Sequence, residues 1–282
     1  MSALVIRVSE SAGFCWGVER ALRLARKAIV DTPGPIHTLG PLIHNPSVIA
    51  QLAEQGIDVL ESDSAEVQGT IIIRSHGVPR DTLAHLFDRG LDVIDATCTF
   101  VKAAQEKAAR LQEEGYFVIV LGESAHPEVL GIRSYAGADS LVVQGPEDLP
   151  LELPKRRVGV VVQTTQSPER LAALVAALAP RVRELRVHNT ICHATEKRQQ
   201  AATAMAAAVD LVIVVGGRNS GNTSRLAELC AVVQPHTHHV EGADEILPEW
   251  LSGVQIVGVT AGASTPPEQI EAVVHRLEEI DP

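Results

Sequence analysis

The 282-residue chain has few aromatic residues, no excess of basic residues and no long apolar run. Phe, Trp and Tyr together make up 3% of it, which leaves no stacking platform for single-stranded nucleic acid. The formal net charge of −11 repels nucleic acid and acidic membrane surfaces. No apolar run approaches the ~20 residues of a membrane span, and no basic and apolar leader opens the chain. These absences predict a cytoplasmic protein that binds neither nucleic acid nor membrane.

Close cysteine pairs of the C-x-x-C type are also absent, although the chain has four cysteines. In a reducing compartment this content indicates metal binding or catalysis rather than disulfides. Three cysteines, Cys15, Cys98 and Cys192, divide the chain into thirds. Each follows a strand-like run, such as LDVIDA, and precedes a helix-like run, such as WGVERALRLARKA. A helix N-terminus favours the thiolate that binds metals, so these three positions are candidate ligands.

The segments between the cysteines repeat one another. After each cysteine helix, a strand ends in a polar loop: IHTLGPLIHNP, FVIVLGESAHPE and LVIVVGGRNSGN. A later strand in each third ends in a second polar turn: IIIRSHGVPRDTL, VGVVVQTTQSPERL and QIVGVTAGASTPPEQI. The repeat predicts three related α/β units with small parallel sheets, over 14–97, 98–191 and 192–282. The strand counts are four, four and three, so we expect the N-terminal segment 1–13, with a strand over Ala3–Val8, to complete the third sheet.

In parallel sheets, functional loops lie at the carboxyl ends of the strands, so the three units are expected to face one central cavity. Zinc bound by three sulfurs is one interpretation, but zinc usually takes a fourth protein ligand and closely spaced cysteines. A [4Fe-4S] cluster with three thiolates leaves one iron open for an oxygen ligand, and this interpretation is preferred. Cys230 lies inside a helical pattern and is predicted to be a core residue.

Several polar side chains lie in these loops. Three histidines share a position just past a strand, with a proline within three residues: His44, His76 and His126. Short donors for an anion are supplied by Ser220, Asn222 and Ser264, with helix capping as the alternative use. Glu128 follows His126 by two residues and is the natural proton carrier. In the first helix, predicted over Val18–Ile29, the apolar spacing places Arg20, Arg23, Arg26 and Lys27 on the outer face.

Motifs that carry these residues resemble those of the 4-hydroxy-3-methylbut-2-enyl diphosphate reductases, the LytB family. They run in order from about Val8 to Gln269: GFCWGVERAL, HTLGPLIHNP, RSHGVP, DATCTFV, GESAHPEV, QTTQS, TICHAT, RNSGNTSRL and GAST. The resemblance implies three pseudo-symmetric α/β domains around a central [4Fe-4S] cluster. It also implies an iron-sulfur reductase of the non-mevalonate isoprenoid pathway, which converts (E)-4-hydroxy-3-methylbut-2-enyl diphosphate to isopentenyl diphosphate and dimethylallyl diphosphate.

Residue by residue, the resemblance implies that Cys15, Cys98 and Cys192 hold the cluster and leave one iron open. The diphosphate pocket would be lined by His44, His76, His126, Ser220, Asn222 and Ser264. Thr164 would orient the substrate hydroxyl with Glu128, and His126 is counted with these two as catalytic. A ferredoxin or flavodoxin would supply the electrons. Two alternatives stay open: a three-cysteine enzyme of the quinolinate synthase type, and a non-catalytic cluster or zinc sensor.

Overall fold

The computed structural model describes residues 4–62 and 68–280. Strands and helices alternate along the chain, as the repeat predicts. The strands are β1 Val5–Val8, β2 Ile36–Leu39, β3 Ile57–Leu60, β4 Thr70–Ile73, β5 Asp92–Asp95, β6 Phe117–Leu121, β7 Leu141–Val143, β8 Arg157–Val162, β9 Glu184–His188, β10 Leu211–Val215, β11 Thr237–Val240 and β12 Ile256–Ala261. The α-helices are α1 Trp16–Asp31, α2 Pro46–Glu54, α3 Arg80–Asp88, α4 Thr99–Glu113, α5 Pro127–Ala136, α6 Pro168–Leu178, α7 His193–Ala206, α8 Gly221–Val233 and α9 Pro267–Ile280.

The described residues form three four-stranded sheets, and every pair of neighbouring strands in them is parallel. Their strand orders are β3-β2-β4-β5, β7-β6-β8-β9 and β1-β12-β10-β11. The fold class, three α/β units with small parallel sheets, is therefore confirmed. The N-terminal strand pairs with the last strand of the chain, with Val5 opposite Ile256 and Val8 opposite Val259. Ala3, the first residue of the predicted N-terminal strand, lies outside the described residues.

Contacts along the chain group these elements into two compact units. One contains the N-terminal segment as far as Val18, the short piece His44–Val48 and the chain from His193 onward, with the sheet that includes β1. The other contains Glu19–Ile43 and Ile49–Cys192, with the remaining two sheets. The residue limits of three separate domains stay a prediction.

Helices cover both faces of the sheet that contains β10, because side chains of successive strand residues point to opposite faces. On one face, the alternate residues Leu211, Ile213 and Val215 pack with α9. On the other face, Val212 and Val214 pack with α7 and α8. Cys230 lies in this second cluster with none of its surface exposed, and burial raises the pKa of its thiol to about 11. Its predicted place in the core is confirmed.

Within the described residues, no helix combines the length and the apolar composition that crossing a membrane requires.

Gly159 in β8 provides a test of the packing between a sheet and the helix α4. A Cβ added at Gly159 would lie 2.6 Å from Cδ1 of Leu111, which is fully buried. We expect Gly159→Ala to lower the free energy of unfolding by about 1–3 kcal/mol, because Leu111 must leave its rotamer. Leu111→Ala is the matched change, since it removes the clashing atoms. Denaturant titration should show that the double variant loses less free energy of unfolding than the two single variants lose together. Strictly additive losses would contradict this packing.

Candidate functional site

The three predicted ligand cysteines lie immediately before helices. Cys15 precedes α1, Cys98 is the N-cap residue of α4, and Cys192 precedes α7. All three are half-buried, and none forms a disulfide within the described residues. The predicted location of each cysteine, between the end of a strand and the start of a helix, is confirmed.

A backbone hydrogen bond fixes each cysteine against a neighbouring loop. In every case the cysteine N–H donates to the carbonyl of the residue two beyond the end of a strand. The three bonds are Cys98 to Ser75 at 2.9 Å, Cys192 to Thr164 at 2.9 Å, and Cys15 to Ala263 at 3.2 Å. The strands concerned, β4, β8 and β12, are the same strand of the predicted repeat. Each thiol is therefore held beside a turn that carries predicted site residues.

The unit that contains Cys15 also brings together four of the predicted diphosphate ligands. Ser264 Oγ donates to the carbonyl oxygen of His44 at 3.0 Å. Ser220 caps α8, because its hydroxyl accepts a hydrogen bond from the Thr223 N–H at 3.3 Å. Asn222 lies in the first turn of α8, is 7% exposed, and its Nδ2 has no hydrogen-bond partner within the described part of the chain. This edge of the unit offers hydroxyl, amide and imidazole groups beside a helix N-terminus.

In the other unit, His126 and His76 lie side by side. Their ring centroids are 5.6 Å apart and the rings are nearly perpendicular. His126 is buried and caps α5, because its Nδ1 accepts a hydrogen bond from the Glu128 N–H at 3.1 Å. An acceptor at Nδ1 leaves Nε2 as the nitrogen that carries hydrogen. His126 therefore fixes the start of the helix through Nδ1 and carries its hydrogen on Nε2.

Glu128 is a buried carboxyl held by one residue. Its Oε1 accepts a hydrogen bond from the Thr164 N–H at 2.6 Å, and its Oε2 accepts one from Thr164 Oγ1 at 2.9 Å. Burial raises the pKa of Glu128 to about 7, although the two bonds from Thr164 act in the opposite direction. A carboxyl with this pKa is poised to give and take a proton near neutral pH. The carbonyl of the same Thr164 holds the Cys192 amide, so the chain Glu128–Thr164–Cys192 is continuous.

Two arginines near the cysteines were not predicted as site residues. Arg20 was expected on the outer face of α1, but it is half-buried and donates to the carbonyls of Thr97 and Asp95. That expectation was wrong, because helical spacing does not reveal which loops approach a helix. Arg198 in α7 is 3% exposed and donates to the carbonyls of Ser11 and Gly13. Its only sequence signal was the basic pair that follows the TICHAT motif.

No group of three His, Cys, Asp or Glu side chains within the described residues is arranged to hold a single metal ion.

Comparison with known proteins places the chain in one family. The family model described as LytB protein matches residues 6–278. A 4-hydroxy-3-methylbut-2-enyl diphosphate reductase from Geobacter metallireducens is 50% identical over 277 residues, which cover 98% of each chain. The corresponding reductase from Aquifex aeolicus is 45% identical over 278 residues, 98% of this chain and 96% of that one.

Solved structures agree with these relatives. A structure of an (E)-4-hydroxy-3-methyl-but-2-enyl diphosphate reductase, the terminal enzyme of the non-mevalonate pathway, is 44% identical with a TM-score of 0.71, and the match covers 98% of this chain and 100% of that chain. The E-1-hydroxy-2-methyl-but-2-enyl-4-diphosphate reductase from Plasmodium falciparum is 26% identical with a TM-score of 0.89, over 98% of this chain and 88% of that chain. The family match over nearly the whole sequence shows that this chain belongs to the LytB family.

Proposed function

We propose that this protein is a 4-hydroxy-3-methylbut-2-enyl diphosphate reductase. It removes the allylic hydroxyl of (E)-4-hydroxy-3-methylbut-2-enyl diphosphate as water, consuming two electrons and two protons, and yields isopentenyl diphosphate and dimethylallyl diphosphate. The observation that carries this proposal is the buried Glu128–Thr164–Cys192 chain. In this chain, the Glu128 carboxyl, whose pKa is near neutral, is bonded to the Thr164 hydroxyl, and the Thr164 carbonyl is bonded to the backbone amide of Cys192. Proton delivery beside a metal-binding thiol is what a reductive loss of water requires.

Three thiolates would bind one [4Fe-4S] cluster: those of Cys15, Cys98 and Cys192. The fit rests on their partial exposure, equivalent places before helices and equivalent amide hydrogen bonds. Thiolate sulfur is the ligand that such clusters take. When bound, the cluster supplies electrons and one open iron that accepts an oxygen ligand.

Six side chains would bind the diphosphate: His44, His76, His126, Ser220, Asn222 and Ser264. A chain with a net charge of −11 must hold an anion with local donors. The unpartnered Nδ2 of Asn222 is such a donor, and it lies in the first turn of α8, where the helix dipole favours negative charge. His126 adds its Nε2 hydrogen, because its Nδ1 already accepts from the backbone.

Glu128 and Thr164 would handle the proton that leaves with the hydroxyl. With Glu128 ionised, the Thr164 hydroxyl donates to its Oε2. With Glu128 protonated, the carboxyl O–H would instead donate to Thr164 Oγ1, and the Thr164 hydroxyl would donate to the oxygen of the substrate hydroxyl. A proton from Glu128 would then reach the leaving oxygen through Thr164, which would also keep that hydroxyl aligned. A ferredoxin or flavodoxin in the cytoplasm would supply the electrons, one at a time. The lack of disulfides among the described cysteines suits such a reducing compartment.

The cysteine assignment predicts a clean split among the four cysteines. Cys15→Ser, Cys98→Ser and Cys192→Ser should each lose most of the iron in anaerobically purified protein, because a hydroxyl is a poor cluster ligand. Cys230→Ser is the matched control and should keep its iron, since Cys230 lies in the core. Iron analysis and Mössbauer spectroscopy measure both outcomes. Wild-type iron content in any of the first three variants would refute the ligand set.

The Glu128 assignment predicts a change in turnover and in its pH dependence. Glu128→Gln keeps size and polarity but carries no proton to give, so turnover should fall by ~10²- to 10⁴-fold. In the wild type, turnover should decline as pH rises through about 7, because the acid form of Glu128 is lost. This decline should be absent from the residual activity of Glu128→Gln. Glu123→Gln, in the same loop, is the control: it should keep the turnover at low pH and move the decline to lower pH, because the charge of Glu123 helps to raise the pKa of Glu128. An unchanged rate in Glu128→Gln would show that the proton arrives by another route.

The double use of His126 predicts that ligand binding and helix capping can be separated. His126→Asn keeps a good N-cap for α5 but removes the Nε2 donor, whereas His126→Ala removes both. We expect both variants to raise KM for the diphosphate substrate about 10- to 100-fold, as for the loss of a hydrogen bond to a charged group. Only His126→Ala should also lower the thermal midpoint. Steady-state kinetics and calorimetry measure these effects. An unchanged KM in both variants would contradict a role for His126 in binding the diphosphate.

A further inference from the structure

Arg198 is buried against the loop that precedes Cys15. Its Nε donates to the Ser11 carbonyl at 2.9 Å, and its Nη2 donates to the Gly13 carbonyl at 2.8 Å. These carbonyls belong to the residues four and two before Cys15. Burying a guanidinium is unfavourable unless its donors are satisfied, and its planar fork matches two acceptors held at a fixed separation. Arg198 therefore clamps the backbone that leads into a predicted ligand.

Arg20 makes an equivalent contact with the loop that precedes Cys98. Its Nη1 donates to the Thr97 carbonyl at 3.2 Å, and its Nη2 donates to the Asp95 carbonyl at 3.4 Å. Arg20 lies five residues beyond Cys15, and Arg198 lies six residues beyond Cys192. In both cases, an arginine on the helix that follows one cysteine holds the loop that precedes another.

The third junction is built differently. Five and six residues beyond Cys98, the helix α4 carries Ala103 and Ala104, which have no donor to offer. The segment before Cys192 is tied instead to β8 by Thr190, whose hydroxyl accepts from the Val162 N–H at 2.9 Å and donates to the Val162 carbonyl. The arginine clamps are thus specific to the Cys15 and Cys98 loops.

We propose that Arg198 and Arg20 are positioning residues, which hold the Cys15 and Cys98 loops in the conformation that ligates the cluster. This inference rests on the proposed function. Each arginine acts on the backbone, because it donates to two carbonyls in the loop that leads into the cysteine. The cysteine amide is then aligned with its acceptor, Ala263 or Ser75, and the thiol keeps its direction.

Hydrogen exchange in the full-length chain tests the clamps directly. Arg198→Met should speed exchange of the Cys15 amide by about 10- to 100-fold, as expected for losing charge-assisted hydrogen bonds, and leave the Cys98 amide unchanged. Arg20→Met is the matched variant and should give the reverse pattern. Arg198→Lys keeps the charge but not the fork, so its exchange should fall between wild type and Arg198→Met. If Arg198→Met does not fold, Arg198→Lys alone provides the comparison with wild type. Equal acceleration of both loops, or none, would overturn the proposal.

A second measurement separates this inference from the proposed function. In iron-loaded protein treated with a chelator, iodoacetamide should label Cys15 first in Arg198→Met and Cys98 first in Arg20→Met, as read by mass spectrometry. The same order of labelling in both variants would contradict a positioning role. Wild-type protein that binds no iron would overturn the proposed function, whereas the exchange pattern would still decide whether the arginines position the loops.

Discussion

The hydrogen bond from each cysteine amide to a loop carbonyl is the constraint on which the rest of the site depends. Parallel pairing fixes where β4, β8 and β12 end, and the accepting carbonyl lies two residues beyond each end. The sheets therefore determine where the cysteine backbone lies, and the same turns carry His76, Thr164 and Ser264. Because the same bond occurs in all three places, the backbones of the three cysteines are held in equivalent ways. This holds although 83 and 94 residues separate the cysteines in the sequence.

Two opposing effects act on the pKa of the Glu128 carboxyl. Burial penalises its charged form, while the two hydrogen bonds from Thr164 favour that form, and the pKa settles at about 7. Because the folded-state pKa is raised above its ordinary value of 4.5, the folded chain holds this proton more tightly than the unfolded chain. The stability that this provides is present below about pH 4.5 and is lost as pH rises through about 7. A Glu128 carboxyl with a pKa near neutral thus contributes less to the free energy of unfolding as the pH rises through about 7.

Local sequence patterns were sufficient for the features that depend on neighbours along the chain. The strand-to-helix handover at Cys98 and the core position of Cys230 are of this kind. The predicted count of three strands after Cys192 agrees with β10, β11 and β12, although the sequence THHV of β11 is a weak strand signal because three of its four positions are polar. Arg20 was placed on the wrong face because its partners lie about 75 residues away. The hydrogen bonds of Glu128 with Thr164 also join distant loops, and only the family resemblance had paired these two residues.

The pairing of β1 with β12 has a consequence for how the protein is made. Val8 is added to the growing chain about 250 residues before Val259, its partner in the sheet. At translation rates of ~5–20 residues per second, this delay lasts roughly ten to fifty seconds. Throughout that interval the first strand has no neighbour, and the Cys15 amide lacks its acceptor at Ala263. With the proposed ligand set, assembly of a cluster on this chain would therefore follow translation, because Cys15 is the first of the three cysteines to be synthesised and the last to gain its backbone hydrogen bond.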